Sequence, residues 1–459
     1  PFGPAQGAAL TALAHSHLSV IRTEFGRFGR QVSGYALEHL LPERGGDAAS
    51  FLVGTEGSLG VVTEATVRLV AAPQHTVLVA LGYADMAAAA DAVPALLPFS
   101  PVAVEGLDAR IVDAVRARAG ERGGAAVPEL PRGTGWLLIE LAAAPGQGSA
   151  ELADRAQRLV AAGGALGARV VTDAREALAL WRIREDGAGL SAPSPRGLPA
   201  HAGWEDSAVP PERLGDYLRA FEGLLADHDL TGMPYGHFGE GCLHIRLDLP
   251  LERADGSSVL RAFLLDAARL VAAHGGSMSG EHGDGRARSE LLPLMYSPEA
   301  LHLFADVKDL LDPDGVLNPG VIVRPAPMDG DLRLAQRHSL ADIAHGVHQC
   351  TGVGKCRADT TGAGGVMCPS YLATRDEKDS TRGRARVLQE MVNGSLVTGG
   401  WRAPEVLEAL DLCLSCKGCA SDCPTGIDMA AYKSEVLHQA YRGRLRPMDH
   451  YALGWLPLW

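Results

Sequence analysis

The run CLSCKGCASDCP, Cys413 to Pro424, places four cysteines within eleven residues. The 349 residues before Cys350 hold one cysteine, Cys242, so seven of the eight thiols lie in the last quarter of the chain. The spacing is C-x2-C-x2-C-x3-C-P. Spacers this short wrap backbone N–H groups round a cluster's sulfurs, and the proline turns the chain away after the last thiol. C-x2-C pairs also bind zinc, but a zinc site uses two well-separated pairs. The third cysteine and the Cys-Pro favour iron–sulfur ligation.

Such a run needs a partner half, and CTGVGKCRADTTGAGGVMCP (350–369) supplies it in stretched form. Cys350 and Cys356 stand at the first and third positions, Val353 at the second, and Cys368-Pro369 ends the run. Crossing the ligands between halves gives Cys413, Cys416, Cys419 and Cys368 to one [4Fe–4S] cluster. Cys350, Cys356 and Cys423 remain for a second. Three thiolates imply [3Fe–4S], or [4Fe–4S] with a fourth ligand other than cysteine; the residues also leave room for a single cluster, but two are expected. STRGRARVLQEMVNGS, APEVLEALDLC and IDMAAYKSEVLHQAYRG read as short helices between the cysteines. The region therefore resembles the α-helical ferredoxin of respiratory iron–sulfur subunits, which passes single electrons and does no substrate chemistry. An electron donor is expected upstream. The basic stretch STRGRAR (380–386) reads as a solvated helix face, with an anion site or partner face as the other readings.

At 459 residues the chain has material for about three domains. Hydrophobic residues make up 46% and charged residues 21%, a globular balance far from that of a disordered chain. A net charge of −13 argues against a phosphate-tracking nucleic-acid surface. No apolar run approaches a membrane span, and the opening PFGPAQGAALTALAHSH has no basic region leading into an apolar core. Clustered thiols used as ligands fit a reducing, cytoplasmic compartment. Both ends read as cut: the chain starts on Pro1 and stops on YALGWLPLW, so 446–459 is expected to open a further region. Trp455 and Trp459 are expected to fill a core there rather than touch a membrane surface.

Upstream, HSHLSVIRTEFGRF has helical spacing, and GSLGVVTEATVRLVAAP (57–73) is β-branched and alternating, which predicts a strand ending at Pro73. HTVLVALGY, GWLLIELAA and GCLHIRLDL read as strands among amphipathic helices such as SVLRAFLLDAARLVAAHGG, which Gly275 and Gly276 stop. The class is α+β, with sheet layered against helices. The Pro- and Gly-containing 321–333 reads as a linker.

Two histidine-bearing, glycine-rich stretches carry chemistry. YGHFGEGCLHIRLD holds His237 and His244, and HGGSMSGEHGDGR holds Glu281 and His282. Two imidazoles and a carboxylate are a common ligand set for zinc or manganese that leaves positions open for a substrate. Glu281 and His282 are adjacent, so in extended backbone they point opposite ways: one binds the metal while the other serves as a base. Turn glycines beside solvent-facing histidines would explain either stretch alone.

FLVGTEGSLGVVTEATVRL, preceded by QVSGYALEHLL, resembles the end of the flavin domain in flavoproteins of the vanillyl-alcohol-oxidase type. GHFGEGCLH, SGEHGDGR and LDPDGVLNPG then match, in order, their C-terminal oxidase domain. The resemblance is to the branch that oxidises D-2-hydroxy acids, the flavin D-lactate and D-2-hydroxyglutarate dehydrogenases and glycolate oxidase subunits, here fused to a ferredoxin module. It implies residues 1–73 as the C-terminal part of the FAD domain, 74–325 as the substrate and metal domain, and 326–445 as the ferredoxin domain. Gly34, Tyr35, Gly54, Glu56, Gly57, Gly60 and Val61 would contact FAD, and Asn318 would lie near the flavin ring. His237, His244 and Glu281 would hold a divalent ion, His282 would be the general base, and Arg184 in WRIRED would take the substrate carboxylate. Electrons would leave through the clusters to a quinone, a cytochrome or a partner protein, which places the protein in the cytoplasm or at the inner face of the membrane.

Two departures stand out. The family's Gly-rich pyrophosphate loop is not found in these 459 residues. A Lys-Tyr-Asp stretch of the hydroxyglutarate branch is replaced by GWEDSAVPPERL, which weighs against a dicarboxylate substrate. The competing readings are an electron-transfer subunit without substrate oxidation, and a metal enzyme without redox chemistry.

Overall fold

The computed structural model describes residues 2–121, 128–190, 194–196, 198, 200–251, 253–332, 341–359 and 365–454. Trp455 and Trp459 lie outside them. The chain forms two compact units, Pro1–Leu332 and Arg333–Trp459.

Among the described residues the first unit has seven strands: β1 (Thr76–Tyr83), β2 (Ala103–Asp108), β3 (Gly135–Ala142), β4 (Gly167–Val171), β5 (Ser207–Ala208), β6 (Tyr235–Gly236) and β7 (Cys242–Leu243). Five form an antiparallel sheet in the order β4-β1-β3-β2-β6, and β5 pairs with β7. Alternation sends the two sides of each strand to different cores. Val77, Val79 and Leu81 of β1 meet the helices Met86–Leu96, Ser149–Ala162, Leu214–Asp227 and Gly256–Ala273. Leu78 and Ala80 meet Ala109–Glu121 and Ala174–Leu190. With helices on both faces β1 is buried nearly throughout, so it reads as a continuous apolar run. The α+β class is as the sequence predicts.

A third core joins residues 10–59 to the helix Pro298–Leu311 and Val321–Val323, centred on stacked Phe25 and Tyr296 with Phe304 edge-on to both. Three expectations change here. Residues 59–73 are irregular, and exposed from Val61 onward: an alternating ribbon becomes a strand only beside another, and no strand among the described residues pairs with it. GCLHIRLDL shortens to β7 followed by isolated bridges from His244 and Leu247, because Gly236 and Gly241 adopt positive φ and break the register. The expected linker is built into the first unit, with Val321, Ile322 and Met328 buried.

The second unit is helical. Ala341–His348, Thr381–Asn393, Pro404–Asp411 and Met429–Ala440 enclose a core of Val347, Leu388, Val406 and Val436, with Cys356, Cys368, Cys419 and Cys423 buried in it. Ser380 caps the helix Thr381–Asn393 by accepting from the Gly383 N–H, and Gly394 ends it at φ +66°. The STRGRAR face is not solvated throughout. Arg384 is 1% exposed, bonding the Ala409 carbonyl, the Ser370 hydroxyl and the Cys368 sulfur. Among the described residues no helix is long and apolar enough to cross a membrane.

Candidate functional site

His237 is the residue after β6, His244 the residue after β7, and the loop 277–284 brings Glu281 and His282 to them. Ser277 of that loop exchanges backbone hydrogen bonds with Ala208 of β5, which sets the loop beside the β5–β7 pair. Gly236 makes the approach possible: at φ +156° a Cβ there would stand 2.3 Å from the Cys242 carbonyl oxygen.

Glu281 Oε1 is the hub. His244 Nε2 and His282 Nε2 each lie 3.2 Å from it, and His237 Nε2 lies at 3.5 Å. The other carboxylate oxygen accepts from Arg30 Nη1 at 2.7 Å. Glu281 and His282 therefore converge, contrary to the extended-backbone expectation. The segment is a turn wound on Asp206, whose backbone carbonyl accepts from the Gly280 N–H and whose Oδ2 accepts from the Ser279 hydroxyl and the His282 N–H. Asp206, His244, Glu281 and His282 offer ligand atoms all within 4.8 Å of one another, a group that takes in the expected base and not His237.

Behind His237 stands Glu105, which accepts from His237 Nδ1 at 2.6 Å and from Arg184 Nε at 2.9 Å. The Arg184 guanidinium lies over the Tyr235 ring, 4.7 Å from its centroid. Burial pushes the His244 pKa down to about 4, while the hydrogen bond to Glu105 raises that of His237. Burial pushes the Glu281 carboxyl up, but the hydrogen bond from Arg30 and the charges of His237 and His244 outweigh it and leave it below its ordinary value.

These residues fit a divalent cation. With Nδ1 committed to Glu105, His237 turns Nε2 to Glu281, and His244 is held neutral, as a metal ligand must be. Its own Nδ1 is buried without a protein partner. A carboxylate oxygen ringed by three imidazole nitrogens is a lone-pair cluster that one cation satisfies.

Of the residues expected at FAD, Gly34, Glu56 and Asn318 fall in one hydrogen-bonded assembly with the His282 loop. Asp284, wholly buried, accepts the Gly34 N–H through Oδ2. The Glu56 carboxylate takes the N–H groups of Asp284 and Gly285, and Asn318 Nδ2 donates to the Glu56 carbonyl at 2.7 Å. Glu56 and Asn318 have positive φ, as do Gly34, Gly54 and Gly57. Tyr35 is buried with its hydroxyl on Ser58, whereas Val61 is 77% exposed and Gly60 lies in the irregular stretch. The side chains of Glu56 and Asn318 are thus engaged within the protein, which leaves backbone and surface to a flavin.

In the second unit the seven thiols gather round two cavities. Cys368, Cys413, Cys416 and Cys419 line one. Cys350, Cys356 and Cys423 line the other, together with Val353. Backbone N–H groups of Arg382 and Met429 point at Cys356 and Cys419, each 3.3 Å from the sulfur. The Thr351 hydroxyl is buried in the second cavity with no protein partner. N–H groups aimed at thiols, and a buried hydroxyl without a partner in the same cavity, suit a cluster's anionic sulfurs.

Sequence reasoning missed Arg30, Glu105 and Asp206. Glu105 left one signal, a carboxylate in the middle of the AVEGLD strand. Asp206 lies in GWEDSAVP with nothing beside it to mark it, and the same holds for Arg30.

Residues 72–322 match the model of the FAD linked oxidases, C-terminal domain, and residues 346–427 that of the 4Fe-4S dicluster domain. The chain is 30% identical over 497 residues to a D-2-hydroxyglutarate dehydrogenase of Pseudomonas putida, covering 96% of this chain and 48% of that one. It is 27% identical over 495 residues to the D-2-hydroxyglutarate dehydrogenase of Escherichia coli, with 94% and 48% covered. Over 300 residues it is 28% identical to a D-lactate dehydrogenase of Archaeoglobus fulgidus, with 65% and 60% covered. The chain spans about half the length of the hydroxyglutarate dehydrogenases it matches. Since the first match takes in more than half of its residues, the chain belongs to the FAD-linked oxidases through their C-terminal domain, and a 4Fe-4S dicluster domain follows it.

Proposed function

We propose that this chain oxidises a D-2-hydroxy acid of the lactate, 2-hydroxyglutarate or glycolate class to the 2-keto acid, with FAD as the hydride acceptor and two iron–sulfur clusters as the exit for electrons. The observation that carries the reading is the convergence of His237, His244 and His282 on Glu281 Oε1. In a carrier without substrate chemistry that cluster would have no task.

His237, His244 and Glu281 would hold a zinc or manganese ion, which when bound lowers the pKa of an α-hydroxyl and anchors the neighbouring carboxylate. Asp206 fixes the backbone of His282, so the imidazole has a set position from which to take the hydroxyl proton. Arg184, clamped by Glu105, would receive the substrate carboxylate as a fixed cation. FAD, when bound, accepts two electrons as hydride, and the clusters remove them one at a time. The acceptor beyond the clusters would be a quinone, a cytochrome or a partner protein, with the protein peripheral to the membrane.

The test is the visible spectrum of the anaerobically purified parent protein before and after D-lactate, D-2-hydroxyglutarate or glycolate. Bleaching of the flavin band by one of them, followed by loss of iron–sulfur absorbance, names the substrate. A flavin that dithionite reduces and none of the three bleaches removes the reading.

A further inference from the structure

The two thiol cavities are built on one plan. Cys413, Cys416 and Cys419 repeat the spacing of Cys350, Val353 and Cys356. In both loops the middle residue sits between two residues of positive φ. Ser415 at +51° and Lys417 at +60° flank Cys416, and Gly352 at +83° and Gly354 at +80° flank Val353. The third thiol of each loop accepts a backbone N–H at 3.3 Å, Cys419 from Met429 and Cys356 from Arg382. Each cavity is completed by a thiol from the opposite half that precedes a proline, Cys368 in the first and Cys423 in the second. The plan breaks at one corner, where Val353 stands in the place that Cys416 holds.

No other thiol, imidazole or carboxylate lines that cavity among the described residues; Met367 offers only a neutral thioether. Among the described residues the other polar side chains there are Thr351, Lys355, Thr381, Arg382 and Thr425. Lysine and arginine are cations and offer iron no lone pair at neutral pH. The Thr425 hydroxyl lies 3.2 Å from Cys423 Sγ, and the Thr351 hydroxyl is buried without a protein partner. A neutral hydroxyl is a weak ligand but a good donor to a sulfide or thiolate. Val353, 52% exposed, lines the fourth corner with hydrocarbon and offers iron no lone pair.

We propose that the second cavity holds a [3Fe–4S] cluster on Cys350, Cys356 and Cys423, with Val353 where the fourth iron of a cubane would require a ligand. The inference rests on the iron–sulfur part of the proposed function and is independent of the hydroxy-acid part. The first cavity, with four thiolates, takes the [4Fe–4S] cluster. The two clusters are then unlike in kind and separable by EPR, since an oxidised three-iron cluster is paramagnetic and an oxidised four-thiolate cubane is not.

The full chain, purified anaerobically and reconstituted with excess ferrous iron and sulfide, is assayed for iron and examined by EPR in the oxidised state. The expected result is about seven irons per chain, three plus four, and roughly one spin per chain in a near-isotropic signal close to the free-electron g value. Val353→Cys should abolish that signal and raise the content to about eight irons. Val353→Ala, which restores no ligand, should keep both readings of the unsubstituted chain and serves if the cysteine variant fails to fold. About eight irons and no oxidised signal in the unsubstituted chain would overturn the proposal, as would about four irons, which means one cluster. A signal that emerges only in Thr351→Val would overturn it in favour of an oxygen-ligated fourth iron. No substrate is added, so failure of the hydroxy-acid reading leaves these outcomes unchanged.

Discussion

Glu105 joins His237 to Arg184, accepting from the imidazole Nδ1 at 2.6 Å through one oxygen and from the guanidinium Nε at 2.9 Å through the other. The carboxylate is 7% exposed on β2 and cannot exchange either partner for water at low cost. It fixes which nitrogen of His237 faces Glu281. Glu105→Gln keeps the shape but removes the charge that orients the ring. Divalent-ion affinity should then fall about 10- to 100-fold with an unchanged far-UV spectrum. Competition against a chromophoric chelator measures this, and equal affinity in the variant would detach Glu105 from the metal site.

The histidines also set a pH dependence. His244 keeps a pKa of about 4 in the fold because burial penalises its charged form. Unfolded, it titrates near its ordinary value of about 6.5. Between those values the unfolded chain binds a proton that the folded chain refuses, so stability is lost as pH falls from about 6.5 towards 4, by at most about 3 kcal/mol. His237 is shifted upward by Glu105 and has the opposite sign, with its contribution present below the unfolded pKa and lost as pH rises through the folded one. Denaturant midpoints of chelator-treated protein should therefore fall on the acid side, and His244→Gln should flatten that fall. An identical slope in the variant would place the acid sensitivity elsewhere.

The contrast between Cys413 and Asp206 shows what was legible in the sequence. The thiol pattern and its four-and-three division can be read because all but one thiol of each cavity come from a single short loop, and a Cys-Pro pair marks the one that crosses from the other half. The glycine-flanked histidines were legible for the same reason. Asp206, Glu105 and Arg30 reach the site from three separate segments, and only tertiary packing reveals that Arg30 lies 2.7 Å from Glu281 across 251 residues of sequence. Glu281 and His282 were misjudged because their backbone is a turn wound on Asp206. The strand expected at 57–73 failed because alternation describes a ribbon, not the neighbour that stabilises it. The basic run 380–386 was read as solvated because composition does not show which of its guanidinium groups turns inward.

Lys308 is 3% exposed and donates to the Ser58 and Leu317 carbonyls, both at 2.6 Å, besides its pairing with Asp312. It ties the GTEGS loop to the segment carrying Asn318. Lys308→Met retains the apolar stem and removes the tie, so the Asn318–Glu56 hydrogen bond is left to hold the two segments without it. FAD affinity of the parent protein should drop roughly tenfold or more, the equivalent of one charged hydrogen bond of about 1.5 kcal/mol. Flavin fluorescence titration reads this directly, and unchanged affinity would mean that the loop is positioned without the lysine.

Arg384 stands to the four-thiol cavity as Glu105 stands to the proposed metal ligands. Its Nη1 lies 3.5 Å from Cys368 Sγ in a buried setting, and Nη2 lies 3.7 Å from Asp379 Oδ1. A fixed cation beside a thiolate favours the reduced, more negative cluster, so it raises the potential. A unit charge roughly 5 Å away at an effective dielectric of about 20 is worth about 3 kcal/mol, and Asp379 cancels part of that. Arg384→Gln should consequently lower the potential of the four-thiolate cluster by something on the order of 50 mV. Arg384→Lys, which keeps the charge, should recover most of the difference. An EPR-monitored redox titration separates the two variants. If both shift equally, the guanidinium acts through its hydrogen bonds to Ser370 and Ala409 and not through its charge.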